Sequence, residues 1–244
     1  MSIFDYIDVR ENNVSNLNSR IFGVTIGLVT NNKDPENLGR VKLKLPLREC
    51  MNETNWARVA TLMAGKEKGS YFLPEVGDEV LVAFCEGDVS RPFVIGSLWN
   101  SKEGPPLKNE DGKNNIRKFK SRNGNELIFN DEEGKESIEI KTKAGQILKM
   151  EDSSEGKLTL TDKSGKNLLE IQGSGNQVSI KAGMKINIEA GSCKIAMDGT
   201  QNSISLESSM QMKLKAQMMD IEAAQMNIKS DGPLVLKGAL VKIN

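Results

Sequence analysis

Apolar and polar residues alternate in short runs along most of this chain, and through its second half the runs form a repeat. The last apolar residue of each run gives the series Phe129, Ile140, Met150, Leu160, Ile171, Ile180, Ile188, Met197, Leu206, Leu214, Ile221, Ile228, Leu236 and Ile243. Successive steps are 11, 10, 10, 11, 9, 8, 9, 9, 8, 7, 7, 8 and 7 residues, so the repeat shortens as it proceeds. A period of two sets apolar side chains on one face of a strand and Lys, Asn, Ser and Glu on the other. Self-similarity at this short period predicts a solenoid of strands, here a tapering one. Early connections carry glycines such as Gly134 and Gly145, and segments such as MKINIEA, MKLKAQM and MNIKSDG read as its strands.

The first part of the chain has a different rhythm. Five β-rich runs, Val24 to Thr30, Arg40 to Leu45, Trp56 to Leu62, Glu79 to Phe84 and Phe93 to Trp99, are separated by turn-forming stretches that contain Asp34-Pro35, Gly65 to Gly69, Gly77-Asp78 and Gly87-Asp88. Five short strands without a helical pattern predict a small closed barrel of the OB type. The organisation expected is a leader at 1–20, a barrel at 21–100, a linker at 101–123 and the repeat at 124–244. The leader's Ile3, Phe4, Tyr6 and Ile7 could dock on a neighbour, or the terminus could fray.

The repeat raises a packing problem. Its strands are only about 23 Å long at roughly 7 residues each, and no amphipathic helix exists to cover their apolar face. Three chains wound together would bury that face on a common axis, with Ile180, Ile188, Met197, Leu206, Leu214, Ile221, Ile228 and Leu236 as the core. A narrow core excludes rings, and the 115 residues from Asn130 to Asn244 contain no Phe, Tyr or Trp. Eight methionines from Met150 onward would fill irregular gaps. A single-chain parallel β-helix is the alternative, although its coils usually need longer turns. The fold class expected is therefore all-β: an OB barrel followed by an intertwined trimeric β-helix.

Composition narrows the function. Charge balances at 33 basic against 33 acidic side chains, and residues 1–107 hold 12 against 14, so neither half has a nucleic-acid binder's basic excess. Cys50, Cys85 and Cys193 are odd in number and sit among apolar residues, which suggests buried free thiols and a reducing compartment of synthesis. No apolar run approaches the ~20 residues of a membrane span. The acidic start MSIFDYIDVRE lacks the features of a signal peptide, so synthesis in the cytoplasm is expected.

Candidate chemistry is sparse. The chain has no histidine, which removes imidazole-dependent triads and His-ligated metals. Gly173-Ser174-Gly175 reads as a strand turn rather than a phosphate loop. Asp131, Glu132 and Glu133 could serve a polysaccharide-active β-helix enzyme, but they sit in a polar turn, and the region offers no aromatic platforms for sugars. Trp56, Trp99, Tyr71 and Phe72 with Arg40, Lys42, Lys44 and Arg58 could stack single-stranded nucleic acid as some OB folds do; core and interface roles suit them better. No catalytic, cofactor or metal site is expected in this chain.

Three motifs in order carry a resemblance. The runs GRVKLKLPL, WARVATLMAGKEKGSYFLPEVGDEVLVAF and GDVSRPFVIGSLWN resemble the OB domain of phage baseplate spike proteins (baseplate assembly protein V) and the matching part of VgrG spikes. RNGNELIFNDEEGKESIEIKTKAGQ is similar to the start of the same family's trimeric β-helix. The resemblance implies a homotrimeric central spike of a contractile injection machine, such as a phage tail or a tail-like bacteriocin particle, that pierces the target cell envelope. It also implies no nucleic-acid partner. With only about 20 residues before the barrel, the hub is expected to be a separate protein; with no room in the linker for a lysozyme domain, the spike should not digest peptidoglycan. Family tips are capped by small PAAR-type metal-binding proteins, which implies tip contacts at Leu240, Val241, Ile243 and Asn244 and places any metal in the partner.

Overall fold

A computed structural model describes residues 20–46, 53–152 and 156–242. It divides into two compact units between Lys120 and Ser121. The first contains a closed barrel of five strands: β1 (Val24–Asn31), β2 (Arg40–Lys44), β3 (Ala57–Val59), β6 (Glu79–Phe84) and β7 (Pro92–Ser97). A two-stranded ribbon, β4 (Ala64–Gly65) with β5 (Lys68–Gly69), projects from the connection between β3 and β6. The barrel order is β1-β2-β3-β7-β6, antiparallel except where β3 meets β7, and this is the OB arrangement that the five sequence runs predicted.

Alternation decides which side of each strand faces in. Val80, Val82 and Phe84 of β6 meet Val29 of β1, Val41 and Leu43 of β2, Ala57 of β3 and Val94 of β7 in one buried cluster. The bore is narrow, and a Cβ added to Gly27 would lie 2.8 Å from Val82 Cγ2. The loop from β1 to β2 is fixed by Asp34, whose buried carboxylate accepts hydrogen bonds from the backbone N–H groups of Glu36, Leu38 and Arg40 and from the Arg40 guanidinium at 2.8 Å. That guanidinium is the main reason the Asp34 carboxyl is held far below the usual carboxylate range.

Antiparallel strands dominate the rest of the chain. A seven-stranded sheet runs in sequence order: β8 (Ile116–Lys120), β9 (Glu126–Asn130), β10 (Ser137–Lys141), β11 (Ile147–Glu151), β12 (Lys157–Thr161), β13 (Leu168–Gln172) and β14 (Gln177–Lys181). A separate three-stranded sheet comes next, made of β15 (Lys185–Ala190), β16 (Cys193–Asp198) and β17 (Ser203–Glu207). Tight turns set the ten-residue beat. At 121–125, Gly124 N–H donates to the Ser121 carbonyl and Ser121 N–H to the Asn125 carbonyl, with Gly124 at φ 88°; Thr142, Gly145 and Gln146 repeat the pattern, with Gly145 at φ 93°. Such a turn closed by a left-handed residue is a standard three-residue hairpin connection.

Two expectations from the sequence do not hold, and the alternative to the three-chain fold does not form. Consecutive strands from β9 to β14 and from β15 to β17 pair antiparallel, which rules out that alternative, a single-chain parallel β-helix. Strand β8 lies inside the stretch expected as linker, where the alternation IRKFK is masked by a run of charges. Cys193 is exposed rather than buried, because the face it shares with Ile195 and Met197 has nothing packed on it; Cys85 is half-buried, and Cys50 lies outside the described residues.

Candidate functional site

The candidate surface is the apolar face of the second unit. Register places apolar side chains opposite one another at every step. One row runs Phe129, Ile138, Met150, Leu158, Ile171 and Val178; the neighbouring row runs Leu127, Ile140, Leu148, Leu160, Leu169 and Ile180. The smaller sheet continues with Ile186, Met197 and Ile204 beside Ile188, Ile195 and Leu206. Their alternate neighbours Glu139, Lys149, Thr159, Glu170 and Ser179 therefore occupy the opposite face.

Burial is inverted relative to an ordinary half-buried sheet. In β10 and β13 the apolar positions are more exposed than the polar ones between them. Among the expected core residues, exposure runs from 39% at Met197 to 68% at Ile221. On the polar face the charges are already paired, with Lys157 Nζ 2.7 Å from Glu170 Oε2 and Lys185 Nζ 3.6 Å from Asp198 Oδ2. An apolar face this long and this open marks an interaction surface.

Beyond β17 the chain has no strand within the described residues, and residues 209–242 are all exposed. The segments MKLKAQM and MNIKSDG, predicted as strands, therefore form no strand among the described residues. The seven-stranded sheet spends four to six residues on each return and the small sheet two and four, and beyond β17 the repeat itself shortens to steps of 7 and 8. Leu214, Ile221, Ile228 and Leu236 lie in this segment, as do Leu240 and Val241, the latter at 73% and 52% exposure. Ile243 and Asn244 lie outside the described residues, as does the leader at 1–19.

The other candidate groupings come apart. Arg40 and Lys42 do approach the Trp56 ring, at 5.9 and 5.6 Å, but Arg40 is paired with Asp34 and Glu36, and Lys42 with Glu53. Arg58 lies 4.6 Å over Phe93. These cations are therefore committed within the barrel. Asp131, Glu132 and Glu133 sit in the turn between β9 and β10, where Lys135 Nζ takes up Glu132 at 2.7 Å. Among the described residues no group of three or more acidic, cysteine or histidine side chains could hold a metal ion. No described helix is long and apolar enough to cross a membrane.

One apolar surface on the barrel has no counterpart among the sequence-based expectations. Phe22, Val24, Ile26 and Leu28 are exposed along the outer side of β1, although its inner side supplies Val29 to the core. The alternation of β1 puts Val24, Ile26 and Leu28 outside and Thr25, Gly27 and Val29 inside, so the more apolar set is the exposed one, and that composition was the available signal.

Residues 25–99 match the family of the Type VI secretion system/phage-baseplate injector OB domain. The chain is 32% identical over 107 residues to the type VI secretion system spike protein VgrG1b of Pseudomonas aeruginosa, covering 41% of this chain and 14% of that protein. It is 35% identical over 111 residues to VgrG3 of Vibrio cholerae, covering 42% and 11%, and 37% identical over 112 residues to VgrG5 of Pseudomonas aeruginosa, covering 42% and 14%. The match thus spans 11 to 14% of the length of these three relatives. With its order, its parallel β3–β7 pair and this match in agreement, the barrel is similar to the OB domain of type VI secretion and phage-baseplate injectors, and the chain that carries it resembles the spike proteins of those machines.

Proposed function

We propose that this chain is the central spike of a contractile injection machine, three copies of which wind into a needle that pierces the target cell envelope. The observation that carries the proposal is the apolar face of both sheets from β9 to β17, open to solvent, followed by a tail that forms no strand among the described residues. Three identical faces meeting on an axis would bury these rows, and neighbouring copies would supply the tail's missing backbone hydrogen bonds. Sheath contraction then needs only a rigid rod, so the role is mechanical and the chain holds no catalytic group or cofactor. The OB barrel forms a collar seated on a separate hub protein, for which the outer apolar stripe of β1 offers contact area. The finished spike travels in a phage tail or tail-like particle.

At the far end, exposed Leu240 and Val241 fit a small PAAR-like capping protein, which would bring any metal with it. Native mass spectrometry of the full chain should give a species of three times 26.8 kDa. A monomer at every concentration would remove the needle. For the tip, Leu240→Asp with Val241→Asp should abolish capture of the cap in a pull-down while leaving that mass unchanged.

A further inference from the structure

Charge on the face opposite the apolar rows obeys a rule that the small sheet makes visible. Glu189 lies across from Lys194, and Lys194 across from Glu207. The Lys194 ammonium is 3.5 Å from the Glu189 carboxylate. Opposite charges facing each other across strands favour a register, and like charges oppose it.

The sequence continues the same alternation past the last strand. After Glu207 come Lys215, Glu222 and Lys229, at steps of 8, 7 and 7 residues. Each follows an apolar residue of the repeat by one position, namely Leu206, Leu214, Ile221 and Ile228, and so belongs to the opposite face of an extended chain. Glu207, Lys215, Glu222 and Lys229 thus read negative, positive, negative, positive; the same position earlier in the repeat holds Glu189 and Asp198, both negative, and the next one after Leu236 holds Lys237, so the alternation is confined to these four. Among the described residues Glu207 has a cross-strand partner in Lys194, and Lys229 lies 3.9 Å from Asp231, two residues on, with both side chains exposed.

We propose that Lys215, Glu222 and Lys229 form an inter-chain charge ladder that sets the register in which copies of this chain wind together. The inference rests on the three-chain needle proposed above. Apolar contacts alone specify that register weakly, because Leu214, Ile221 and Ile228 recur at equal steps and a slip of one repeat trades one for another. Charge breaks the tie. A neighbouring copy offset by one repeat presents Glu222 to Lys215 and to Lys229 and Glu207 to Lys215, whereas an offset of two sets Lys215 against Lys229 and Glu207 against Glu222. Charge complementarity therefore selects another copy of this chain as the occupant of the tail's open edges.

The test compares the full-length wild type, Glu222→Lys, and the triple variant K215E/E222K/K229E, reading the half-life of the assembled species on dilution at low salt. Glu222→Lys creates two like-charge junctions in each chain and should shorten that half-life by about tenfold. The triple variant leaves one such junction, at Glu207, and should outlast the single variant despite carrying more substitutions. At about 1 M salt, where the screening length is ~3 Å, the three should converge. Equal half-lives for wild type and Glu222→Lys, or a triple variant no longer-lived than the single one, would overturn the ladder while leaving a trimeric wild type intact. A wild type that never exceeds monomer mass overturns both the needle and the ladder.

Discussion

Barrel and strand repeat are written in the same period-two alternation, yet the barrel finishes its packing inside one chain and the repeat does not. In the barrel every strand edge is paired around a closed ring, and Val41, Leu43, Ala57, Val80 and Val82 have no solvent exposure. In the second unit, Ala196 is the only buried hydrophobic side chain among the described residues, and it lies on the face opposite the apolar rows. Alternation thus specifies a strand and its two faces; closure depends on the length and geometry of the connections between strands. The barrel has a bulge in the pairing of β1 with β2 and a glycine where the bore narrows, and it curls onto itself. The repeat has regular hairpins, then shorter steps without strands among the described residues, and its apolar face stays open.

The sharpest way to break this comparison is to charge the apolar face. Ile188→Asp or Ile221→Asp would place three like charges together where the needle core should be, and the expected result is loss of the assembled species. Trp56 and Trp99 both precede residue 100, so tryptophan emission reports the barrel's environment and should melt at an unchanged temperature in these variants. Leu43→Ala should do the reverse, lowering the emission-detected transition by about 2–5 kcal/mol of lost packing while the assembled mass stays as it was. If either substitution moved both readouts together, the two regions would not be independent in the way their packing indicates.

How much of the molecule was legible in the sequence divides along the same line. Glu79 to Phe84 was placed to the residue because the apolar run from Val80 to Phe84 is bounded by the turn signals Gly77-Asp78 and Gly87-Asp88. The run from Trp56 to Leu62 shrank to Ala57–Val59, since the chain beyond it enters the ribbon of β4 and β5. The repeat's apolar face was legible residue by residue through Ile180, Ile188, Met197 and Leu206, because a period of two needs no tertiary context. Its shortening steps were legible too, but not their meaning for hydrogen bonding: spacing alone does not say whether MKLKAQM pairs, and among the described residues it forms no strand. The outer stripe of β1 escaped because alternation marks two faces without saying which one the barrel turns inward, and here the face with Thr25 and Gly27 is the buried one.

The mildest test separates the two regions by acid. Asp34 anchors the β1–β2 loop with its ionised carboxylate, and the Arg40 guanidinium holds that carboxyl well below its ordinary range. In the repeat, Asp162 is depressed chiefly by the Ser164 hydroxyl and lies in an exposed turn where it also accepts from Asn167. For both groups the folded state favours the charged form, so their contribution is present above the unfolded value near 3.9 and declines as pH falls below it. Asp34→Asn should lower the emission-detected transition at neutral pH and flatten its fall between about pH 5 and 2, because a neutral amide has no proton to gain and cannot accept from both guanidinium nitrogens. Asp162→Asn should leave that transition where it is and change the assembled half-life only slightly, since a solvated turn loses little when its acceptor is neutralised. A barrel transition in Asp34→Asn that kept the wild type's acid slope would show that the loop is held by its backbone turn and not by charge, and would remove the electrostatic part of the barrel's self-sufficiency.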